Sequence, residues 1–145
     1  MMKFYVFALL MSLTMPSKAQ QTTPLFPKFS TYFSTGEWEL NEVQKEQLKT
    51  NVINNIKTLK DSNYVIRVNG HTDAVGNKTN NLELSKKRAA SVAAFLKSNG
   101  IPETKIITAH FGSSDKNKAV LKDFKKKEDI LYANRRVEIT IEPLN

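Results

Sequence analysis

Hydrophobic and polar residues alternate in four short stretches of the chain, and this alternation predicts β-strands. A period of two residues is typical of a strand that buries one face. In the last stretch Val137, Ile139 and Ile141 fall on one side, and their polar neighbours fall on the other. The four predicted strands are Lys28–Phe33, Tyr64–Asn69, Lys105–Phe111 and Arg136–Glu142.

Two segments between these strands show the spacing of amphipathic helices instead. The first runs from about Asn41 to Lys60, and Asn41 with Gln44 fits a variant of the capping box. The second runs from about Leu82 to Ser98 and ends at Gly100, which suits a left-handed helix cap. The expected buried positions are Leu48, Val52, Ile56 and Leu59 in the first helix, and Ser85, Ala89, Val92, Ala93 and Leu96 in the second.

The order of these elements is β-α-β-α-β-β, which predicts the fold class. Helices that connect strands of one sheet pack against that sheet. We therefore expect an α/β (α+β) two-layer sandwich formed by one domain, residues 28–145. Residues 20–27 are polar and contain two prolines, so they are expected to be a leader or linker. The lysine-rich stretch 116–127 is expected to be a polar connection with one short helical turn.

Residues 1–19 have the layout of a secretory signal peptide. A basic start precedes an apolar run, and Ser17 and Ala19 supply the small residues of a cleavage site. The run is shorter than the roughly 20 apolar residues of a membrane-spanning helix, and no later stretch is long enough either. The sequence contains no cysteine that could be lipidated. We expect a periplasmic protein that is cleaved after Ala19 and has no transmembrane segment in its mature chain; the alternative is an uncleaved segment that anchors the domain at the membrane.

The formal net charge of +8 indicates an anionic partner without choosing among such partners. A basic module that binds polyanions is therefore one alternative. The lysines at 125–127 lack the interleaved aromatic residues that stack on nucleic-acid bases, and export also argues against nucleic acid.

Candidate chemistry lies at the end of the second predicted strand. Asp73 follows this strand in a turn bounded by glycines, where its carboxylate is expected to be exposed. Arg88 lies in the first half of the next helix, which a crossover would bring back to the same edge of the sheet. Arginine binds carboxylates through paired hydrogen bonds, and aspartate can hold an ammonium group. The pair therefore predicts either a site for a zwitterion or a structural salt bridge between the two side chains.

The stretch around these two residues closely resembles the central motif of the OmpA-like peptidoglycan-binding domain family. The matching positions are Gly70-His71-Thr72-Asp73, Gly76, Asn81, Leu84-Ser85 and Arg88-Ala89, followed by Gly100-Ile101-Pro102 with Ile106 and by Asn134-Arg135-Arg136-Val137-Glu138-Ile139. These motifs occur in the family's order and extend from about Thr31 to Ile141.

The resemblance implies an OmpA-like fold and non-covalent binding of peptidoglycan through the diaminopimelate-type residue of its stem peptide. Asp73 and Arg88 match the family's two ligand-binding positions. Thr72, Asn81 and Leu84 match residues that shape the pocket, and Thr35 and Gly36 match a loop that approaches the ligand. The implied partners are peptidoglycan and an outer-membrane or envelope protein complex. Alanine at Asp73 or Arg88 is expected to abolish binding and to leave the fold intact.

An enzymatic alternative uses His71, Asp73, Ser85 and His110 as a hydrolytic or metal site. The sequence lacks a Gly-x-Ser-x-Gly or His-Glu-x-x-His motif that would support it. We therefore expect a binding domain with no catalytic residue, no metal ion and no cofactor.

Overall fold

The computed structural model describes residues 27–59, 63–113 and 127–144. Its strands are β1 (Lys28–Tyr32), β2 (Tyr64–Thr72), β3 (Ile106–Ser113) and β4 (Arg136–Pro143). Its α-helices are α1 (Glu42–Leu48), α2 (Asn54–Thr58), α3 (Lys78–Ser98) and α4 (Lys127–Asn134). The predicted signal peptide, nearly all of the leader, and the 116–127 connection up to residue 126 lie outside the described residues.

The four strands form one sheet in the order β1-β4-β2-β3. Strand β4 runs antiparallel to both β1 and β2, whereas β2 and β3 are parallel. The parallel pair requires a crossover connection, and α3 supplies it. Because β2 and β4 are the two central strands, the carboxyl end of β2 lies beside the amino end of β4. Gly70 there pairs with Val137.

The core lies between one face of this sheet and the helices, which confirms the predicted two-layer α/β sandwich. Every second residue along β2 and along most of β4 is buried, and so are the helical residues that were predicted to be buried. The exception is Leu59, which is half-buried. Apolar side chains separated by two residues in a strand and by three or four in a helix point to the same layer. Ile66, Val68, Val92, Leu96 and Ile139 illustrate this core, each with no exposed surface.

The first predicted helix begins directly after Asn41, the residue that the capping-box pattern predicts as its cap. Asn41 Oδ1 accepts a hydrogen bond from the Gln44 backbone N–H at 2.9 Å, and Gln44 Oε1 accepts one from the Asn41 N–H at 2.7 Å. Gln44 Nε2 also donates to the Tyr32 carbonyl at 2.6 Å, which ties the helix to β1. The helix continues to Thr58, but a π-helical segment, Lys49–Ile53, separates α1 from α2.

Two features of the helices differ from the sequence-based expectation. Helix α3 begins four residues earlier than predicted, because Asn77 caps it and its Oδ1 accepts a hydrogen bond from the Asn80 N–H at 2.8 Å. Helix α4 was not predicted, so the order is β-α-β-α-β-α-β. Among the residues of α4 only Ala133 is buried, and one buried position gives no detectable periodicity.

Gly70 allows α3 to lie directly against β2. A Cβ atom at this position would lie 2.0 Å from the Ser85 carbonyl oxygen of α3, far inside van der Waals contact. Ser85 in turn accepts a hydrogen bond from the Gly112 N–H of β3 at 2.9 Å. Close packing therefore fixes the first half of α3 against the ends of both parallel strands. Within the described ranges, no helix combines the length and apolar character needed to cross a membrane.

Candidate ligand-binding pocket

A small pocket of about 170 Å³ opens at the carboxyl end of β2. Its lining comes from the loop after β1, the turn after β2, the first half of α3 and the residue before β4. All seven predicted site residues line this pocket, and two residues that were not predicted join them. The lining residues are Thr35, Gly36, Thr72, Asp73, Val75, Asn81, Leu84, Arg88 and Arg135.

Arg88 is the most constrained side chain of the pocket. It is fully buried, and three backbone carbonyls accept hydrogen bonds from its guanidinium. Nε donates to Glu37 at 2.8 Å, Nη1 to His71 at 3.0 Å and Nη2 to Ser34 at 3.0 Å. A guanidinium has five N–H groups, so one on each terminal nitrogen remains without a partner among the described residues. Arg88 thus holds the loop after β1 and keeps donors available to a ligand.

Arg88 remains charged at neutral pH despite its burial. The pKa of Arg88 is lowered to about 10, mainly by desolvation and in part by the buried guanidinium of Arg135, while the negative charge of Asp73 opposes the shift. A pKa near 10 still leaves the guanidinium protonated at pH 7, so the pocket carries a fixed positive charge.

Asp73 is buried, with 6% of its surface exposed, so the expectation of an exposed carboxylate was wrong. The turn after β2 folds back over the pocket, and Asp73 Oδ1 accepts a hydrogen bond from the Val75 N–H at 3.0 Å. Its other oxygen forms an ion pair with Arg135 Nη1 at 3.1 Å. The predicted alternative was a structural salt bridge between Asp73 and Arg88. Asp73 instead forms its salt bridge with Arg135, and Arg88 donates hydrogen bonds to backbone carbonyls.

Arg135 is a pocket residue that sequence reasoning missed. It is buried, and besides Asp73 it contacts the Phe33 carbonyl at 3.2 Å and Glu128 at 3.2 Å. It precedes β4, whose amino end lies beside the carboxyl end of β2. The pairing of these two strands would have placed Arg135 near Asp73, but strand order is not readable from the local pattern.

The remaining lining residues shape the pocket. Asn81 Nδ2 donates to the Val75 carbonyl at 3.1 Å and to that of Asp73 at 3.4 Å, which stabilises the turn. Val75 is 57% exposed at the rim and presents an apolar surface. Thr72 Oγ1 is buried and finds no hydrogen-bond partner within the described part of the chain. A buried hydroxyl without a partner is costly, and a bound ligand can supply the missing bond.

The structure gives no support to the hydrolytic alternative. Ser85 is completely buried, and its hydroxyl donates to the Leu82 carbonyl and accepts from the Gly112 N–H. The His71 ring stacks on Phe111 with a centroid distance of 5.2 Å. In the three described ranges, no group of three or more His, Asp or Glu side chains is placed to hold a metal ion.

A larger pocket, of about 510 Å³, borders the loop after β1 but lacks this chemistry. Among the residues that the structure describes, its charged lining residues are Glu37 and Glu39, both exposed, and no lysine or arginine lines it. The pocket at the end of β2 instead combines two buried cations with one buried anion. That combination suits a ligand with a carboxylate and an ammonium group.

The fold and the pocket together define an α/β domain with a preformed, charged binding pocket at the end of a central strand. The family model described as the OmpA family matches residues 32–128. The chain belongs to the OmpA family. The matched region ends before the Asn134–Ile139 segment, which the resemblance by motifs also covers.

Individual relatives match in the same region. Outer membrane protein A of Buchnera aphidicola subsp. Schizaphis graminum is 33% identical over 107 residues, which cover 71% of this chain and 28% of that protein. The peptidoglycan-associated lipoprotein of Buchnera aphidicola subsp. Baizongia pistaciae is 43% identical over 53 residues, covering 37% of this chain and 31% of that protein. The chain thus spans less than a third of the length of these curated relatives.

Solved structures show the same fold. The peptidoglycan-associated lipoprotein from Burkholderia pseudomallei matches with a TM-score of 0.64 at 23% identity, over 78% of this chain and 89% of that one. The OmpA-like domain of FopA1 from Francisella tularensis matches with a TM-score of 0.58 at 26% identity, over 81% and 75% of the two chains. The predicted fold class is confirmed.

Proposed function

We propose that this domain binds peptidoglycan non-covalently, through the diaminopimelate-type residue of the stem peptide. The observation that carries the proposal is the pairing of Arg88 and Asp73 in one pocket. Arg88 is a buried cation with two N–H groups that have no partner among the described residues, and Asp73 is a buried anion held by a different arginine. Membership of the OmpA family and the name of the peptidoglycan-associated relatives support the same ligand.

The chemistry of a diamino acid with two carboxylates fits the charges of the pocket. In our proposal the free N–H groups of Arg88 donate to the carboxylate at the end of the diaminopimelate side chain. The ammonium beside that carboxylate binds Asp73, whose oxygens can accept further hydrogen bonds beyond those from Val75 and Arg135. The second arginine leaves the pocket with one excess positive charge, which favours an anionic ligand over a simple amine.

The uncharged lining residues complete the proposed site. The Thr72 hydroxyl gains the hydrogen bond that it lacks, and Val75 and Leu84 contact the methylene groups of the ligand. Asn81 keeps the turn in place, and the backbone at Thr35 and Gly36 forms the opposite wall. No step in this mode of binding makes or breaks a covalent bond.

The proposed setting is the bacterial envelope. We infer that the chain is exported by the segment at residues 1–19 and acts in the periplasm, in association with the outer membrane or an envelope complex. Relatives named outer membrane protein A and peptidoglycan-associated lipoprotein support this setting.

Competition on purified sacculi tests the ligand. The domain should sediment with sacculi, and a stem tripeptide with diaminopimelate as its third residue should release it. The same tripeptide with lysine in that place should not release the domain at the same concentration, because the lysine side chain ends in an ammonium without an adjacent carboxylate. Equal release by both compounds would show that the pocket does not recognise that carboxylate, and failure to sediment would refute peptidoglycan as the ligand.

A further inference from the structure

A second cleft, of about 190 Å³, adjoins the pocket at the end of β2. It lies between the loop after β1 and one face of α3, and we call it the Trp38 cleft. Its helical residues recur at intervals of three and four, so they share the outer side of α3 next to the face that carries Arg88. Leu84 lines both cavities, which makes them neighbours. The lining residues are Trp38, Asn80, Glu83, Leu84 and Lys87.

Trp38 is an aromatic side chain that the fold leaves partly exposed. The indole is 39% exposed, and the Lys87 ammonium lies 4.7 Å from its ring centroid. This cation–π contact fixes the ring against α3. One exposed aromatic side chain is common on protein surfaces and would carry no inference alone. Here the ring forms one wall of a cleft whose other walls are an amide, a carboxylate and an ammonium.

We propose that the Trp38 cleft binds one sugar ring of the glycan strand, the N-acetylated sugar that carries the stem peptide. This inference rests on the proposed function, because only two residues, spanning about 7 Å when extended, separate the bound third residue of the stem peptide from the sugar. A pyranose ring has an apolar C–H face and a polar rim. Trp38 and Leu84 suit the face, while Asn80, Glu83 and Lys87 suit the hydroxyl and carbonyl groups of the rim.

The size of the cleft indicates a single ring. Pockets for drug-sized ligands are roughly 300–1,000 Å³, and each of the two cavities falls below that range. Two adjoining small cavities suit two small groups joined by a short peptide better than one large group. The domain would thereby distinguish stem peptides attached to a glycan from free peptides.

Calorimetry with two ligands tests this inference. One ligand is a stem tripeptide with diaminopimelate as its third residue, and the other is the same peptide attached to N-acetylmuramic acid. The unmodified domain should bind the sugar-bearing ligand about fivefold more tightly, the size expected for one aromatic stacking contact. Trp38→Ala should remove that advantage and leave the affinity for the tripeptide unchanged. Trp38→Phe should retain part of the advantage.

Fluorescence supplies an independent readout, because Trp38 is the only tryptophan of the chain. The sugar-bearing ligand should change its emission, and the tripeptide should not. Equal affinities of the unmodified domain for the two ligands would overturn the sugar site while leaving the peptide site intact. Equal emission changes with both ligands would place peptide in the cleft and would also overturn it. Binding of neither ligand would refute the proposed function as well.

Discussion

At the scale of single residues, Arg88 has a structural role that its sequence context does not reveal. The expectation that alanine at this position leaves the fold intact does not agree with its contacts. The side chain is fully buried and joins the carbonyls of Ser34, Glu37 and His71. Its loss would remove three hydrogen bonds from a charged group and the packing of a fully buried side chain, and both changes are costly.

We therefore predict that Arg88→Ala lowers the free energy of unfolding by about 3 kcal/mol, because the variant loses several hydrogen bonds that a charged group donates. Urea denaturation measures this change. Lys86→Ala is the matched control, because Lys86 is an exposed lysine on the same helix with only a loose ion pair to Glu83 at 3.9 Å. A change below about 0.5 kcal/mol in Arg88→Ala, the range of ordinary surface substitutions, would contradict this account.

Asp73 is the better residue for separating binding from stability. Asparagine has the same shape and can still accept the hydrogen bond from the Val75 N–H. Arg135 also retains its contacts with Phe33 and Glu128 after this substitution. The substitution removes a charge from the pocket together with the ion pair to Arg135 Nη1, so urea denaturation of the variant must show a folded domain before its binding is compared.

At the scale of secondary-structure elements, the contact between β2 and α3 positions the pocket. We predict that Gly70→Ala lowers the free energy of unfolding by more than about 2 kcal/mol, since the new methyl group would force the helix backbone away from the strand. Urea denaturation of Asn69→Ala provides the comparison, because Asn69 precedes Gly70 on the same strand and is only half-buried. Equal free energies of unfolding for the two variants would show that α3 can move away from β2 without loss of stability.

The cap of α1 provides a second test at this scale. Asn41→Ala should lower stability by about 1 kcal/mol, the usual cost of losing an N-cap side chain. Asn54→Ala is a suitable control, because Asn54 is exposed further along the same helical segment. Thermal denaturation of both variants should show a lower midpoint for Asn41→Ala alone, and equal midpoints would contradict the role of the cap.

The elements that the sequence predicts correctly are those specified by neighbouring residues. The capping box at Asn41 and the buried stripe of α3 depend on spacings of three and four residues, so the local pattern is sufficient. Helix α4 buries one residue and leaves almost no pattern. The role of Arg135 depends on the pairing of β4 with β2, strands far apart in the chain, which no local pattern specifies.

At the scale of the whole molecule, ionic contacts join strands that are distant in sequence. Glu138 of β4 contacts Lys28 of β1 at 2.9 Å and Arg136 at 2.8 Å. Partial burial raises the pKa of the Glu138 carboxyl, but hydrogen bonds from Lys28 and Arg136 outweigh burial and hold the pKa below its ordinary value. A carboxyl with a lower pKa in the folded state stabilises the fold above its unfolded pKa.

We therefore predict that the contribution of Glu138 to stability is present above about pH 4.5 and is lost as the pH falls through the lower folded pKa. Glu138→Gln should be less stable than the unmodified domain at pH 7, and the difference should shrink in acid. Denaturation at a series of pH values measures this. A difference that stays constant with pH would contradict an ionic role for Glu138.

The central claim, that the pocket at the end of β2 recognises the stem peptide through its paired charges, is tested most directly by calorimetry of Asp73→Asn. The ligand is the diaminopimelate-containing stem tripeptide, and Glu46→Gln, which removes an exposed carboxylate from α1, is the control. We predict that Asp73→Asn weakens binding at least about tenfold, because its partner charge is desolvated in the complex. The control should bind like the unmodified domain. Unchanged affinity of a folded Asp73→Asn variant would contradict the account.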